Sequence, residues 1–178
     1  MTLDDDDAND ETTNNNITYD DDDEKKDTGI ATLRNRLEAN GITHLDVVVA
    51  NAGGSSGFKD ILSTVDPDKD LLYDFRVNAV LPLKLFQAVS PLLFSSSVPA
   101  GDDGTSTSSS GSNPPKKWIY ITSSVGSIGS LGEESFPSTA YGMSKAAGNW
   151  LARKLAVEFA GRGLLVGVVH PGLVVFPL

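Results

Sequence analysis

The sequence predicts an α/β chain built on an open parallel sheet, and three observations carry that prediction. Short apolar runs rich in β-branched and aromatic residues, at 45–50, 117–122 and 164–169, suit strands buried on both faces. The long segments 66–94 and 139–160 lie between them, with apolar residues recurring at helical spacing. Each run also ends in small or polar residues: Asn51-Ala52-Gly53, Ser123-Ser124 and His170-Pro171-Gly172. Ligands of open α/β sheets bind at these carboxyl ends.

Length and composition bound the rest. A chain of 178 residues has room for one domain with a core of its own. Cysteine is absent, which excludes disulfides and thiolate metal sites. His44 and His170 stand far apart in sequence, so no metal centre is expected. The net charge of −10 is local: residues 1–27 hold twelve acids and two lysines, while 28–178 hold twelve acids and twelve bases. No basic patch points to nucleic acid. No apolar run approaches the ~18 residues of a membrane span. The acidic start lacks the basic and apolar regions of a signal peptide. A cytoplasmic protein with a small-molecule substrate is the expectation.

Residues 1–27, dense in like charge and poor in apolar groups, read as a disordered tail, because such a segment cannot offset its ordering entropy by burial. The domain is expected over 28–178. Its first helix covers about 28–40, with Ile30, Leu33 and Leu37 on one face and Asn40-Gly41 as the stop. After the 45–50 strand, Gly53–Gly57 (GGSSG) looks like a phosphate loop but has the wrong spacing and no helix directly behind it. Gly126, Gly129 and Gly132, spaced by three after the 117–122 strand, are likewise not read as a phosphate loop. Asp66-Pro67 is an N-cap followed by proline at the first helical position. Within that helix Pro82 has no N–H to give the Asn78 carbonyl, which leaves this oxygen open for a water. Residues 95–115, almost all Ser, Gly, Pro and Asp, read as a disordered surface loop. Trp150, Leu151, Leu155 and Phe159 are core or interface positions, core being the simpler reading, and His170 is assigned to a packed position.

The chemistry concentrates between 118 and 145. Tyr141 and Lys145, four apart at the start of a helix, share a face with Cβ atoms roughly 5–6 Å apart. A neighbouring ammonium favours the phenolate and so makes the tyrosine a better proton donor and acceptor near neutral pH. Ser123 and Ser124, where the preceding strand ends, can hold a substrate oxygen beside it. That is the outline of a carbonyl–alcohol redox site.

Taken together, Asn51-Ala52-Gly53, Asn78 27 residues later, the serine pair and Tyr141-x-x-x-Lys145 resemble the short-chain dehydrogenase/reductase family. Within it the wording is nearest to fungal reductases similar to norsolorinic acid ketoreductase. The resemblance implies a partial doubly wound, Rossmann-type sheet that retains strands 4, 5 and 6 of the order 3-2-1-4-5-6-7. The glycine-rich turn of the first βαβ half has no counterpart, and Phe176 stands where a threonine commonly contacts the nicotinamide. The chain is therefore expected to be truncated at both ends. The resemblance further implies a catalytic set of Asn78, Ser123, Tyr141 and Lys145. The cofactor would be contacted by Asn51, Ala52, Gly53, Tyr141, Lys145, Pro171 and Gly172. NADP(H) is implied, with NAD(H) left open, and a homo-oligomer is expected at full length. The alternative is a truncated, inactive paralogue that binds no cofactor.

Overall fold

The structure, a computed structural model, describes residues 29–62, 66–95, 115–132 and 136–172. The expected tail over 1–27, nearly all of the 95–115 loop, and Phe176 lie outside the described residues. Three parallel strands, β1 (Val47–Ala50), β2 (Lys116–Ile121) and β3 (Leu164–Val169), form one sheet in the order β1-β2-β3. The register sets Ala50 beside Tyr120 and Ile121 beside Val169, so all three strands end at one edge. This is the partial Rossmann-type arrangement the sequence predicts, and long connections between the strands are what parallel pairing requires.

The helices are α1 (Leu33–Ala39), α2 (Leu72–Phe75), α3 (Leu81–Leu93) and α4 (Thr139–Glu158). The predicted stop of α1 is present: Asn40 caps it and Gly41 takes a left-handed φ of 79°. Asp66 accepts hydrogen bonds from the Asp68 and Lys69 amides, as an N-cap before Pro67 should. The helix it starts is not regular. Residues 67–93 wind continuously, but Pro67–Leu71 and Arg76–Val80 are π-helical, on either side of α2. Asn78 sits in the second wide turn and Pro82 at the start of α3.

Val48, Ala50, Trp118, Tyr120 and Leu164 turn to one face of the sheet, where Phe86, Val89 and Leu93 of α3 and Ala152 and Leu155 of α4 meet them. Phe86 anchors this core edge-on to Trp118, 5.3 Å between ring centroids, and to Phe159 at 5.0 Å. The expectation of strands buried on both faces fails for β1. Val47 and Val49 are about half exposed, at 49% and 51%, because the described helices cover only the face opposite them. Trp150 corrects another expectation, since it faces outward at 68% exposure while Leu155 is buried. His170 is exposed rather than packed. Among the described residues no helix is long and apolar enough to cross a membrane.

Candidate active site

The carboxyl edge of the sheet brings the predicted segments into one row. Asn51-Ala52-Gly53 follows β1, Thr122-Ser123 follows β2, and His170-Pro171-Gly172 follows β3. Thr122 N–H donates to Val169 O at 2.9 Å, so the pairing of β2 and β3 continues up to Ser123. Ser123 is extended (φ −140°, ψ 152°), and the chain then folds into a 3₁₀ turn over Ser124–Gly126. That turn lies directly on α4. A Cβ on Gly126 would stand 2.7 Å from the Lys145 Cβ, so only glycine lets the loop approach the catalytic-looking helix. Thr122 Oγ1–H donates to Asn149 Oδ1 at 2.7 Å, and Asn149 Nδ2–H to Gly126 O at 3.1 Å, tying the same loop to α4.

Tyr141 and Lys145 point from the first turns of α4 toward this edge. Burial pushes the Tyr141 phenol above its ordinary value, the Ser123 hydroxyl pulls it back by hydrogen bonding, and the Asp74 carboxyl raises it. The expected depression by Lys145 is not what the fold produces. The ammonium is 5.5 Å from the ring centroid, and desolvation is the largest influence on the phenol. Burial likewise lowers the pKa of Lys145, whose Nζ donates to Ile121 O at 3.0 Å. Of the two serines, it is Ser123 that bears on the phenol.

Asn78 is fully buried and fastens the site together. Its Nδ2 donates to Gly54 O at 2.7 Å and to Ser144 Oγ at 3.0 Å, and its Oδ1 accepts from Gly54 N–H at 3.2 Å. Gly53 lies tight against this group: a Cβ there would meet Asn78 Oδ1 at 2.9 Å and Lys145 Nζ at 3.2 Å. The Asn78 carbonyl is not open as expected. Pro82 withholds its N–H, but the buried Tyr120 hydroxyl donates to this oxygen at 2.8 Å and occupies one of its two acceptor positions. Gly148 makes room for the Tyr120 hydroxyl, since a Cβ there would collide with it. Sequence reasoning missed Tyr120 because an aromatic in a strand reads as core, and nothing local marks its hydroxyl as bonded across the fold.

The residues expected to contact a cofactor, Asn51, Ala52, Gly53, Pro171 and Gly172, are exposed along the carboxyl edge on either side of Ser123. Gly172 takes a left-handed φ of 81°. An exposed, small-residue strip beside a buried lysine fits a ligand lying across the strand ends. Among the described residues no group of histidine, aspartate or glutamate is arranged to hold a metal. A cleft of about 1090 Å³ opens on the adjoining face of α4, lined among others by Ile61, Leu62, Ile128, Leu131, Phe136 and Met143. It also touches Val125 and Gly142, next in sequence but one to Ser123 and next to Tyr141.

Residues 8–177 match the family described as short chain dehydrogenase. Among curated proteins, a short-chain dehydrogenase of Pyricularia oryzae is 34% identical over 139 residues, 78% of this chain and 48% of that one. Norsolorinic acid ketoreductase of Aspergillus parasiticus is 33% identical over 144 residues, 80% of this chain and 45% of that one. The chain spans about half the length of the curated relatives it matches. Among solved structures, the putative carbonyl reductase Sniffer of Caenorhabditis elegans is 29% identical with a TM-score of 0.65, covering 83% of this chain and 60% of that one. The NADPH-bound carbonyl reductase from chicken fatty liver is 27% identical with a TM-score of 0.60, covering 82% and 52%. With the family matched over residues 8–177, nearly the whole sequence, this chain belongs to the short-chain dehydrogenases.

Proposed function

We propose that the protein is an oxidoreductase interconverting a ketone and a secondary alcohol, with Ser123, Tyr141, Lys145 and Asn78 as its working groups. The observation that carries the reading is the Tyr141 phenol beside Ser123 at the carboxyl edge, with the buried Lys145 on the same helical face. A bound nicotinamide dinucleotide would supply or accept the hydride. In the reducing direction Tyr141 gives its proton to the carbonyl oxygen as that oxygen gains charge, and Ser123 O–H donates a hydrogen bond to the same atom. The phenol is protonated at neutral pH, the state a proton donor needs, and the Lys145 charge is placed to ease its proton loss as the carbonyl oxygen gains charge. Lys145, with three N–H groups and one engaged by Ile121 O, holds a ribose hydroxyl and attracts the phenolate that forms. Asn78 fixes the Gly54 backbone and, through its carbonyl, retains one acceptor position for a water leading to Lys145.

Asn51, Ala52, Gly53, Pro171 and Gly172 would line the dinucleotide. NADP(H) is the preferred cofactor, since the chicken enzyme is NADPH-bound and a Pseudomonas aeruginosa relative of 29% identity, TM-score 0.59, is an NADP active-site complex. Met143, Trp150 and Val157, seven apart on α4 and all more than half exposed, support assembly as a homo-oligomer through this helix. The test is consumption of NADPH with a panel of aliphatic and aryl ketones, alongside NADPH fluorescence on titration with the protein. Turnover abolished by Tyr141→Phe, with cofactor affinity retained, is the expected result. Neither turnover nor binding would favour the inactive-paralogue reading instead.

A further inference from the structure

Three residues spaced by four, Asp70, Asp74 and Asn78, are buried at 3%, 0% and 0% exposure along the irregular helix. Each grips a successive point of the segment that follows β1, in reverse order. Asn78 exchanges hydrogen bonds with Gly54, as above. Asp74 Oδ1 accepts from Ser56 N–H at 2.6 Å, and Asp70 Oδ2 accepts from Lys59 Nζ at 2.6 Å. The far end of the ladder is then joined to the catalytic helix: Thr139 N–H donates to Lys59 O at 3.2 Å, and Phe58 packs on Phe136 with centroids 5.9 Å apart. Immediately beyond, Asp60, Ile61 and Leu62 form one wall of the apolar cleft beside Tyr141. Burying two carboxylates is costly, and among the described residues Asp74 Oδ2 and Ser56 Oγ are buried with no well-formed hydrogen bond. Asp70, by contrast, is fully engaged, its Oδ2 accepting from Lys59 Nζ and from Asp66 N–H at 3.0 Å. A surface-exposed loop of 54–62 needs no such anchorage unless its position matters.

We infer that Asp70 and Asp74 are positioning residues for substrate. With Asn78 they register residues 54–62 against α4, and so set the wall on which the apolar flank of a ketone rests while its oxygen lies at Tyr141. The inference rests on the proposed oxidoreductase reading and names the part of that site that selects substrate. Asp70 touches neither the reacting atoms nor the strip assigned to the cofactor, while Asp74 bears on the Tyr141 phenol through its charge. Loss of the Asp70–Lys59 pair should therefore appear in KM and in substrate choice, not in the chemical step.

The experiment compares wild type with Asp70→Asn, Lys59→Met, Asp74→Ala and Asp74→Asn on a small ketone (acetone) and a bulky one (an aryl ketone). Hydrogen exchange of residues 54–62 is measured in parallel. A hydrogen bond to a charged group is worth enough that Asp70→Asn and Lys59→Met should raise KM for the aryl ketone about tenfold, with kcat and acetone reduction little changed. Exchange at 54–62 should quicken by a similar factor, while the amides of β2 keep their protection. Asp74→Ala should raise KM for the aryl ketone likewise, whereas Asp74→Asn, which still accepts from Ser56 N–H and can donate to Ser56 Oγ, should restore the wild-type KM and exchange rates; both variants remove the charge that acts on Tyr141, so their kcat values are compared with each other. Equal KM changes for both ketones, a loss confined to kcat, or unchanged exchange at 54–62 in Asp70→Asn would overturn the inference. If wild type reduces no ketone, the functional reading fails by itself. The exchange data and the affinity of the aryl ketone measured by tryptophan fluorescence then decide the ladder.

Discussion

Replacing Tyr120 by phenylalanine removes one oxygen and leaves the ring in place, so its effect isolates a single hydrogen bond. That oxygen is buried, donates to Asn78 O at 2.8 Å, and occupies the gap above Gly148. Pro82, four residues further along, has no N–H to offer this acceptor in its place. A buried carbonyl that loses its partner costs about 1–3 kcal/mol. For a chain of this size each kcal/mol moves the melting midpoint by about 2–4 °C, which gives a fall of about 2–12 °C. Differential scanning calorimetry of Tyr120→Phe against wild type reads this directly. The bond also steadies the wide turn that presents the Asn78 side chain, so kcat should fall several-fold with KM for cofactor unchanged. Unaltered melting and unaltered turnover together would refute the reasoning, since they would mean that the Asn78 carbonyl needs no partner and that its turn holds itself.

Other outcomes follow from the same geometry. Tyr141→Phe should lower kcat by at least ~10²-fold, the usual share of a general acid, in a steady-state NADPH assay. Gly53→Ala should place a methyl against Asn78 Oδ1 and Lys145 Nζ, and an overpacked contact of this kind costs about 1–3 kcal/mol in urea unfolding, with activity lost in parallel. Burial raises the Asp74 pKa above its ordinary 3.8, with the Ser56 amide opposing and the Asp70 charge adding to the rise. A raised folded-state value favours the folded chain below the unfolded pKa, and the benefit disappears as pH climbs through the folded one. Asp74→Asn should therefore stabilise the protein at neutral pH and confer no advantage below about pH 4, as denaturant melts at the two pH values will show. Spectrophotometric titration of the tyrosines should find the Tyr141 phenolate, identified by its absence in Tyr141→Phe, only above the ordinary value of 10.0.

Much of this site is legible in the chain alone. The strand-end motifs are local, because a β-branched run followed by small residues says both where the strand stops and that something lies close to its end. Asp66-Pro67 and Asn40-Gly41 mark helix ends for equally local reasons, and the structure places them there. What escaped depends on distance or on competition between effects. The sequence puts Lys145 beside Tyr141 but not how deeply either is buried, and burial reverses the expected sign of the phenol's shift. Asp70 and Asp74 look like two of several acids near a helix start. Only the return of residues 54–59 across that helix turns them into partners. The wide turns are likewise invisible to a pattern of period 3.6, since an apolar residue displaced by one position still reads as helical. The half-exposed β1 follows from which face the helices choose, a property of topology that a run of valines cannot encode.

The two π-helical stretches make the helix over 67–93 behave as a gear train. A π turn is an α turn with one residue inserted, and each inserted residue rotates everything before it by about 100° relative to everything after. Removing a single residue from Arg76–Val80 would restore regular winding, yet it would disturb the turn that presents Asn78 and swing Asp70 and Asp74 around the axis, away from Lys59 and Ser56. The α3 face that packs Phe86 and Val89 into the core would stay where it is. One codon thus separates the part of this helix that builds the fold from the part that grips the loop beside the tyrosine. Insertions and deletions within these five residues would re-phase the substrate wall and the Asn78 contacts together, while the sheet remains in place.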